Sequence, residues 1–311
     1  MANFLVTGGA GFIGSNIVEH LLDTGHSVRV LDNFLTGKRH NLTAFLDRID
    51  LIEGDMCDAD TCRRACADMD YVLHQAAIPS VPRSIDDPIG TTRNNVIGMV
   101  QILDAAAKAK VRRLVCAASS SAYGDQPVAV KTETLLPRPL SPYAVAKLSG
   151  EYFCQAYAAS MGLDTVALRY FNVFGPRQDP TSQYSAVIPK FITAALQGGS
   201  PTIYGDGTQS RDFTFVFNNV RANVLAATAA KPLNGIVMNI ACGTSYTLLD
   251  LLTIIGKTLG REIAPIFAER RAGDVKHSLA DIQLARETIG YEVEVDFQQG
   301  LAQTIAWYQQ Q

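Results

Sequence analysis

An α/β fold, built as a doubly wound parallel sheet with a smaller, mostly C-terminal α/β lobe after it, is predicted by three features of the 311-residue sequence. Short apolar runs alternate with helix-length amphipathic segments through roughly the first half of the chain. The runs lack period-2 polarity, as expected of strands covered on both faces. Polar or glycine-rich clusters stand directly after each run, at the carboxyl ends of strands where open parallel sheets hold their ligands.

Taken in order, FLVTGG (4–9) opens as a strand and runs into a glycine loop and a helix near 12–25. VRVLDN (28–33), DLIEGD (50–55), YVLHQAA (71–77), RLVCAAS (113–119) and TVALRYFN (165–172) supply five more strands. Helices are expected near 59–67, 91–109 and 142–161. Alternation at this spacing implies right-handed crossovers between parallel strands. From Phe174 the pattern turns irregular and richer in Gly and Pro (GPRQDPTS, GGSPTIYGDG), which marks the second lobe. The boundaries are therefore placed at 1–172 and 173–311, with part of 208–237 expected to pack back on the first domain. FQQGLAQTIAWYQQQ reads as a terminal amphipathic helix.

Composition narrows the function classes. The chain is 47% hydrophobic and 18% charged with a net charge of −3, so it has no polyanion-binding footprint and nucleic acid is not an expected partner. No apolar run approaches the ~18 residues of a membrane span. MANFLVTGG enters a strand with no signal peptide ahead of it, which fits a cytoplasmic protein. Cys57, Cys62 and Cys66 lack CxxC spacing and read as incidental thiols in a reducing compartment. The five histidines are scattered, and no metal site is expected.

The first glycine loop carries the clearest chemistry. Gly8, Gly11 and Gly14 in TGGAGFIGSNIVEHLL let the backbone approach a pyrophosphate, and the helix that follows offers N–H donors and the positive end of its dipole. A glycine repeat alone also fits a tight turn with close helix packing. Here a strand precedes it, a helix follows, and Asp32 ends the next strand, which is the Rossmann-type context. A carboxylate at that point accepts both adenosine ribose hydroxyls and repels a 2′-phosphate, favouring NAD over NADP, while Lys38 and Arg39 pull the other way.

SPYAVAK places Tyr143 and Lys147 on one helix face, with Ser141 as expected N-cap and Pro142 in the first turn. The bland reading is a surface tyrosine and lysine. In this setting Tyr143 stands near the strand ends, where a neighbouring ammonium favours the ionised phenol, the form that takes a proton. Ser119, at the end of the fifth strand, can hydrogen-bond a reacting hydroxyl. Ser, Tyr and Lys beside NAD make a hydride-transfer site.

The sequence resembles the extended short-chain dehydrogenase/reductases through TGGAGFIG, Asp32, the SSSAYG run and YAVAK. More narrowly, SVPRSIDDP, RYFNVFGPRQDP, AVIPKF, TIYGDGTQSRDF and GDVKHSLAD resemble UDP-hexose 4-epimerases, with the UDP-N-acetylglucosamine 4-epimerase branch nearest, from Asn3 to Tyr308. The resemblance implies that Tyr143 removes the sugar 4-OH proton, Lys147 supports that base and holds the nicotinamide ribose, and Ser119, with Ser120 as neighbouring candidate, takes the serine/threonine role. It implies an NAD site made of Gly8, Gly11, Phe12, Ile13, Gly14, Asp32, Asn33, Thr36, Gly37, Asp55, Met56, Gln75, Ala76, Ala77, Asn95, Tyr143, Lys147 and Tyr170. In it Asp55 and Met56 flank the adenine, Gln75 to Ala77 meet the diphosphate side, Asn95 holds the cofactor or the serine strand, and Tyr170 lies against the nicotinamide. For the sugar nucleotide it implies Ser80 and Arg83 near the hexose and Asn172 toward the diphosphate. Ala186, Val187, Ile203 and Tyr204 would sit on uracil, Arg211 and Arg271 on the diphosphate, and Asp274 on the uridine ribose. Ser278 would line the hexose pocket, where a small residue admits a 2-acetamido group and a tyrosine excludes it. The implied reaction is transient oxidation to a 4-keto sugar and return of the hydride to the other face.

Other functions share this layout. Related dehydratases carry Asp-Glu after the catalytic residue and decarboxylases a Glu, whereas Ser120 and Ser121 stand here. A nucleotide-sugar 4-reductase or dehydrogenase would use the same three residues, and a non-catalytic NAD-binding module would need only the glycine loop. Apolar residues spread round helices 91–109 (Val96, Met99, Val100, Leu103, Ala107) and 142–161 (Leu148, Tyr152, Ala156, Ala159) imply, through the resemblance, a four-helix homodimer contact, the alternative being cover by the chain's own loops.

Overall fold

Seven parallel strands form the central sheet of the computed structural model, which describes residues 1–180, 186–269 and 276–311. In chain order the first half runs β1 (Asn3–Thr7), α1 (Phe12–Asp23), β2 (Ser27–Asp32), β3 (Ile49–Glu53), α2 (Ala59–Cys66), β4 (Tyr71–His74), α3 (Val81–Asp86), α4 (Pro88–Thr92), α5 (Gly98–Lys108), β5 (Arg113–Ser119), α6 (Pro142–Ser160) and β6 (Asp164–Tyr170). The second half adds β7 (Val173–Phe174), α7 (Val187–Leu196), β8 (Thr202–Tyr204), β9 (Ser210–Arg211), β10 (Thr214–Phe215), α8 (Val216–Thr228), β11 (Ile236–Ile240), β12 (Tyr246–Thr247), α9 (Leu248–Leu259), β13 (Ile266–Ala268), β14 (His277–Ser278), α10 (Gln283–Ile289) and α11 (Phe297–Tyr308).

The strand order is β11-β6-β5-β4-β1-β2-β3. The winding leaves β1 toward β2 on one side and resumes at β4 on the other, so the order reverses between β1 and β4 and a crevice opens at their carboxyl ends. The near-absence of alternation in the strands has its cause in two cores. One buries Phe4, Val6, Val30 and Leu73 against α1 and α8, and the other buries Leu5, Leu31, Val72 and Leu114 against α2, α5 and α6. Neighbouring positions of one strand thus face opposite apolar layers. A third core, around Phe174, Phe191, Phe213, Phe215 and Phe297, gathers α7, α9 and α11.

Residues 173–311 divide between these cores. β11 pairs with β6 as the seventh sheet strand, which the sequence reading did not include. α8 packs over the sheet, and Arg113 at the start of β5 fastens its end by donating to the carbonyls of Ala226, Ala227, Ala229 and Lys231 while pairing with Asp164 at 2.6 Å. Ala280, Ala285 and Tyr291 also lie in the first core.

The helix expected over 91–109 is interrupted. Residues Arg93–Ile97 form a π turn between α4 and α5, a device that often marks a functional position. Met99 and Leu103, two of the apolar residues expected to spread round this helix, are core residues at 1% and 0% exposure. Tyr152, Ala156 and Ala159 of α6 are exposed. Among the described residues no helix is long and apolar enough to cross a membrane.

Candidate functional site

The glycine loop is held by close approach. A Cβ on Gly8, whose φ is +69°, would stand 2.7 Å from the backbone of Ala76, and one on Gly14 would stand 2.1 Å from the Gly8 carbonyl oxygen. No acid lies in the first turn of α1, and among the described residues no side chain caps it at Gly11, so its leading amides are open to the crevice. Asp32 accepts from the amides of Ala10 and Phe34 at 2.9 and 2.8 Å. Burial raises its carboxyl above the ordinary carboxylate range, against the pull of those two bonds. A carboxylate has about four lone-pair sites, so two remain for a ligand. Arg39 is engaged by Glu53 at the surface and lies 4.0 Å from the Phe34 ring centroid, while Lys38 lines the cavity.

These parts wall a cavity of about 650 Å³. Gly8, Gly11, Phe12, Ile13, Gly14, Asp32, Asn33, Thr36, Gly37, Met56, Gln75, Ala76, Ala77, Ser80, Arg83, Tyr143, Lys147, Tyr170 and Ala186 all line it. Sequence reasoning missed other walls, among them Asn94, Ala117, Ala118, Arg177 and Gln178. Arg177 and Gln178 lie within the RYFNVFGPRQDP run without a role having been expected of them, and the fold brings all five to the cavity.

Two expected cofactor residues stand behind the wall. Asp55 accepts from the Cys57 amide and pairs with Arg93 at 3.3 Å, leaving its neighbours Gly54 and Met56 at the cavity. Asn95 binds both backbone groups of Ile78, accepting from its N–H at 2.7 Å and donating to its carbonyl at 2.9 Å. The π turn delivers that amide to the segment after β4. Asn95 is thus a strut of this wall.

At the deep end, Ser141 caps α6 by accepting from the Ala144 amide at 3.1 Å, which fixes Tyr143 in the first turn. Lys147 is buried and donates to the Ala117 carbonyl at 2.7 Å. No carboxylate pairs with it among the described residues, so its charge is left for the cavity. Burial and the Lys147 charge hold His74 down to about 3, so it is neutral, sharing a 2.8 Å bond with Thr7 behind the glycine loop. α6 itself is anchored to β6 by a buried bidentate pair, Arg169 with Glu151 at 2.8 and 2.6 Å. The Ser119 hydroxyl oxygen accepts from the amide and hydroxyl of Ser121 at 3.2 and 2.9 Å, leaving its own O–H to donate. Ser119 and the half-buried Ser120 sit just past the walls formed by Ala117 and Ala118.

A second cavity, of about 560 Å³, meets the first at Ala186, which lines both. Asn172, Val187, Tyr204 and Arg211 line it as expected, and Lys190, Gln209 and Phe213 join them unforeseen. Ile203 does not: it is fully buried in the third core, and Thr202 and Tyr204 on either side of it face the cavity, as strand alternation requires. Ser278 lies opposite Arg211 in the β14–β9 register and lines neither cavity. Arg271 and Asp274 fall outside the described residues. Ser80, Asn172 and Arg177, all cavity residues, hold φ of +96°, +36° and +68°. Non-glycine backbone strain of this kind collects at working sites.

Comparison with known proteins gives one family, the NAD dependent epimerase/dehydratase family, matched over residues 4–241. A UDP-glucose 4-epimerase of Mycolicibacterium smegmatis is 37% identical over 308 residues, 98% of this chain and 97% of the relative. The solved UDP-N-acetylglucosamine 4-epimerase of Methanobrevibacter ruminantium, in complex with UDP-N-acetylmuramic acid, superposes with a TM-score of 0.94 at 41% identity, covering 99% and 98% of the two chains. The UDP-glucose 4-epimerase of Thermotoga maritima with UDP-glucose gives 0.93 at 35% identity, with 99% of each chain covered.

Proposed function

The chain belongs to the NAD-dependent epimerase/dehydratase family, and from that membership we propose that it acts on UDP-GlcNAc and UDP-GalNAc, with UDP-glucose and UDP-galactose slower or comparable. At the coarser level it is an NAD-dependent UDP-hexose 4-epimerase, an isomerase. The observation that carries the reading is a single cavity whose walls hold the glycine cradle, Asp32, Tyr143 and Lys147, joined at Ala186 to a second cavity with Arg211 in its wall.

The residues present fit NAD: the cradle has no room for a Cβ, the α1 amides are open to a diphosphate, and Asp32 keeps acceptors for ribose hydroxyls. When bound, NAD supplies the acceptor and donor of hydride. The Tyr143 phenol oxygen takes the proton of the sugar 4-OH and returns it after inversion. The Lys147 ammonium stabilises negative charge on that oxygen. Ser119 donates to the sugar oxygen, with Ser121 holding its rotor. Inversion needs the 4-keto sugar to present its other face, so the firm grip belongs on the uridine diphosphate, through Asn172, Val187, Tyr204 and Arg211, with Arg271 and Asp274 assigned to the same task. Residues 1–172 then carry most of the NAD site, joined by Arg177, Gln178 and Ala186, and the second-cavity walls, from Asn172 onward, carry the nucleotide.

Initial rates with UDP-glucose, UDP-galactose, UDP-GlcNAc and UDP-GalNAc side by side test the substrate reading; activity confined to the two plain sugars would refute it. Stoichiometric NADH release at 340 nm would instead favour a dehydrogenase. Tyr143→Phe should cut epimerisation by about 10²-fold or more while NAD stays bound. Exposed Ile85, Ile89, Ile97, Val145 and Tyr152 on and beside α3, α4 and α6 support a homodimer through this face, and a monomer on gel filtration would exclude it.

A further inference from the structure

At the wall of the first cavity, three side chains close a ring of hydrogen bonds. The Tyr170 hydroxyl donates to Gln75 Oε1 at 3.1 Å, Gln75 Nε2 donates to Asn223 Oδ1 at 2.9 Å, and Asn223 Nδ2 donates back to the Tyr170 oxygen at 2.7 Å. The members come from three places: the end of β6, the segment after β4, and the middle of α8. Tyr170 and Gln75 line the cavity, whereas Asn223 is fully buried and has no access to it.

The ring has only one sense. Asn223 Nδ2 also donates to the Asn219 carbonyl at 2.7 Å, one turn back in its own helix. A carbonyl accepts only, so it fixes which end of the Asn223 amide is nitrogen. The nitrogen must then donate to Tyr170, whose hydroxyl must donate onward to Gln75 Oε1. Gln75 is left with its oxygen turned into the ring and one N–H spare. Burial raises the Tyr170 phenol well above its ordinary range, so the ring stays neutral and keeps its sense through the working pH range.

We propose that Asn223 is a positioning residue that acts through this ring, holding Tyr170 in place and turning Gln75 so that it offers the bound dinucleotide a hydrogen-bond donor. The ligand group it suits is an oxygen acceptor, a phosphate or carboxamide oxygen. The proposal rests on the reading of the first cavity as the NAD site. Asn223 carries no motif and touches no ligand, so only the three-element contact reveals it.

The test is NAD affinity, measured by titrating stripped protein, in the wild type, Asn223→Leu, Tyr170→Phe and the double variant. Leucine keeps the branched heavy-atom shape and the helix while removing every side-chain bond. Losing both ring hydrogen bonds of Asn223 and stranding Gln75 and Tyr170 should weaken NAD binding roughly tenfold, with KM for the UDP-sugar unchanged. In the Tyr170→Phe background the same change should cost much less, because the ring is already open. An unchanged affinity in Asn223→Leu overturns the proposal. So does an equal loss in both backgrounds, which would make Asn223 a core residue with no link to Tyr170. Asn223→Ala gives the same comparison should the leucine variant fail to fold. A wild type that binds no NAD would overturn the site reading and the proposal together, an outcome distinct from the other two.

Discussion

Replacing Asp212 by asparagine should flatten a pH dependence of stability that the wild type carries. Asp212 is fully buried and accepts from the amides of Cys242, Gly243 and Ala280 at 2.9, 3.0 and 3.3 Å. No cation pairs with it among the described residues. Burial outweighs the three donors and raises its carboxyl from 3.8 to about 7. The folded state therefore holds the proton more tightly than the unfolded chain. The associated stability is complete below pH 3.8 and is lost as pH rises through 7. At about 1.4 kcal/mol per pH unit, the loss between pH 4.5 and 7 is about 3 kcal/mol, levelling off above. Urea unfolding of wild type and Asp212→Asn across pH 4.5–8.5 isolates this residue from other carboxylates, since only the difference between the two matters. A difference that does not move with pH would mean that the three amides keep the carboxylate ionised throughout, and the burial argument would fail. The consequence reaches the second cavity, because the residues on either side, Arg211 and Phe213, line it and the Asp212 carbonyl holds Asn172 at 3.0 Å.

Further expectations concern α6 and the glycine cradle. Glu151→Gln leaves the Arg169 guanidinium buried without its counter-charge and should cost about 3–5 kcal/mol in urea unfolding. Gly14→Ala forces a methyl against the Gly8 carbonyl oxygen; it should destabilise by about 1–3 kcal/mol and abolish NAD retention, read from cofactor content after dialysis.

Much of the first sheet was readable because strand and helix periods differ and because parallel strands are apolar on both faces. β11 escaped, since Ile236–Ile240 sits far from the other strands, beyond the irregular stretch. The glycine loop, Asp32 and the Tyr143–Lys147 pair were readable for another reason: each is a local spacing whose chemistry depends on neighbours in the chain. Ile203 failed where locality ends. In a three-residue strand alternation leaves two phases, and only the third core decides that Ile203 turns inward. Asn95 could be named from the sequence, but its bonds to Ile78 needed the π turn.

By itself, then, the sequence determined the wound sheet, the cradle for a dinucleotide, and the Tyr143–Lys147 pair on one helix face, because these are set by contacts within a few residues or by a repeating period. Tertiary structure alone decided which side chains face the cavities, that Asp55 and Asn95 stand behind the wall, and that Asn223 closes a ring with Gln75 and Tyr170. Those outcomes depend on partners 17 to 148 positions apart, and no local pattern encodes which distant side chain will supply the complementary donor or acceptor.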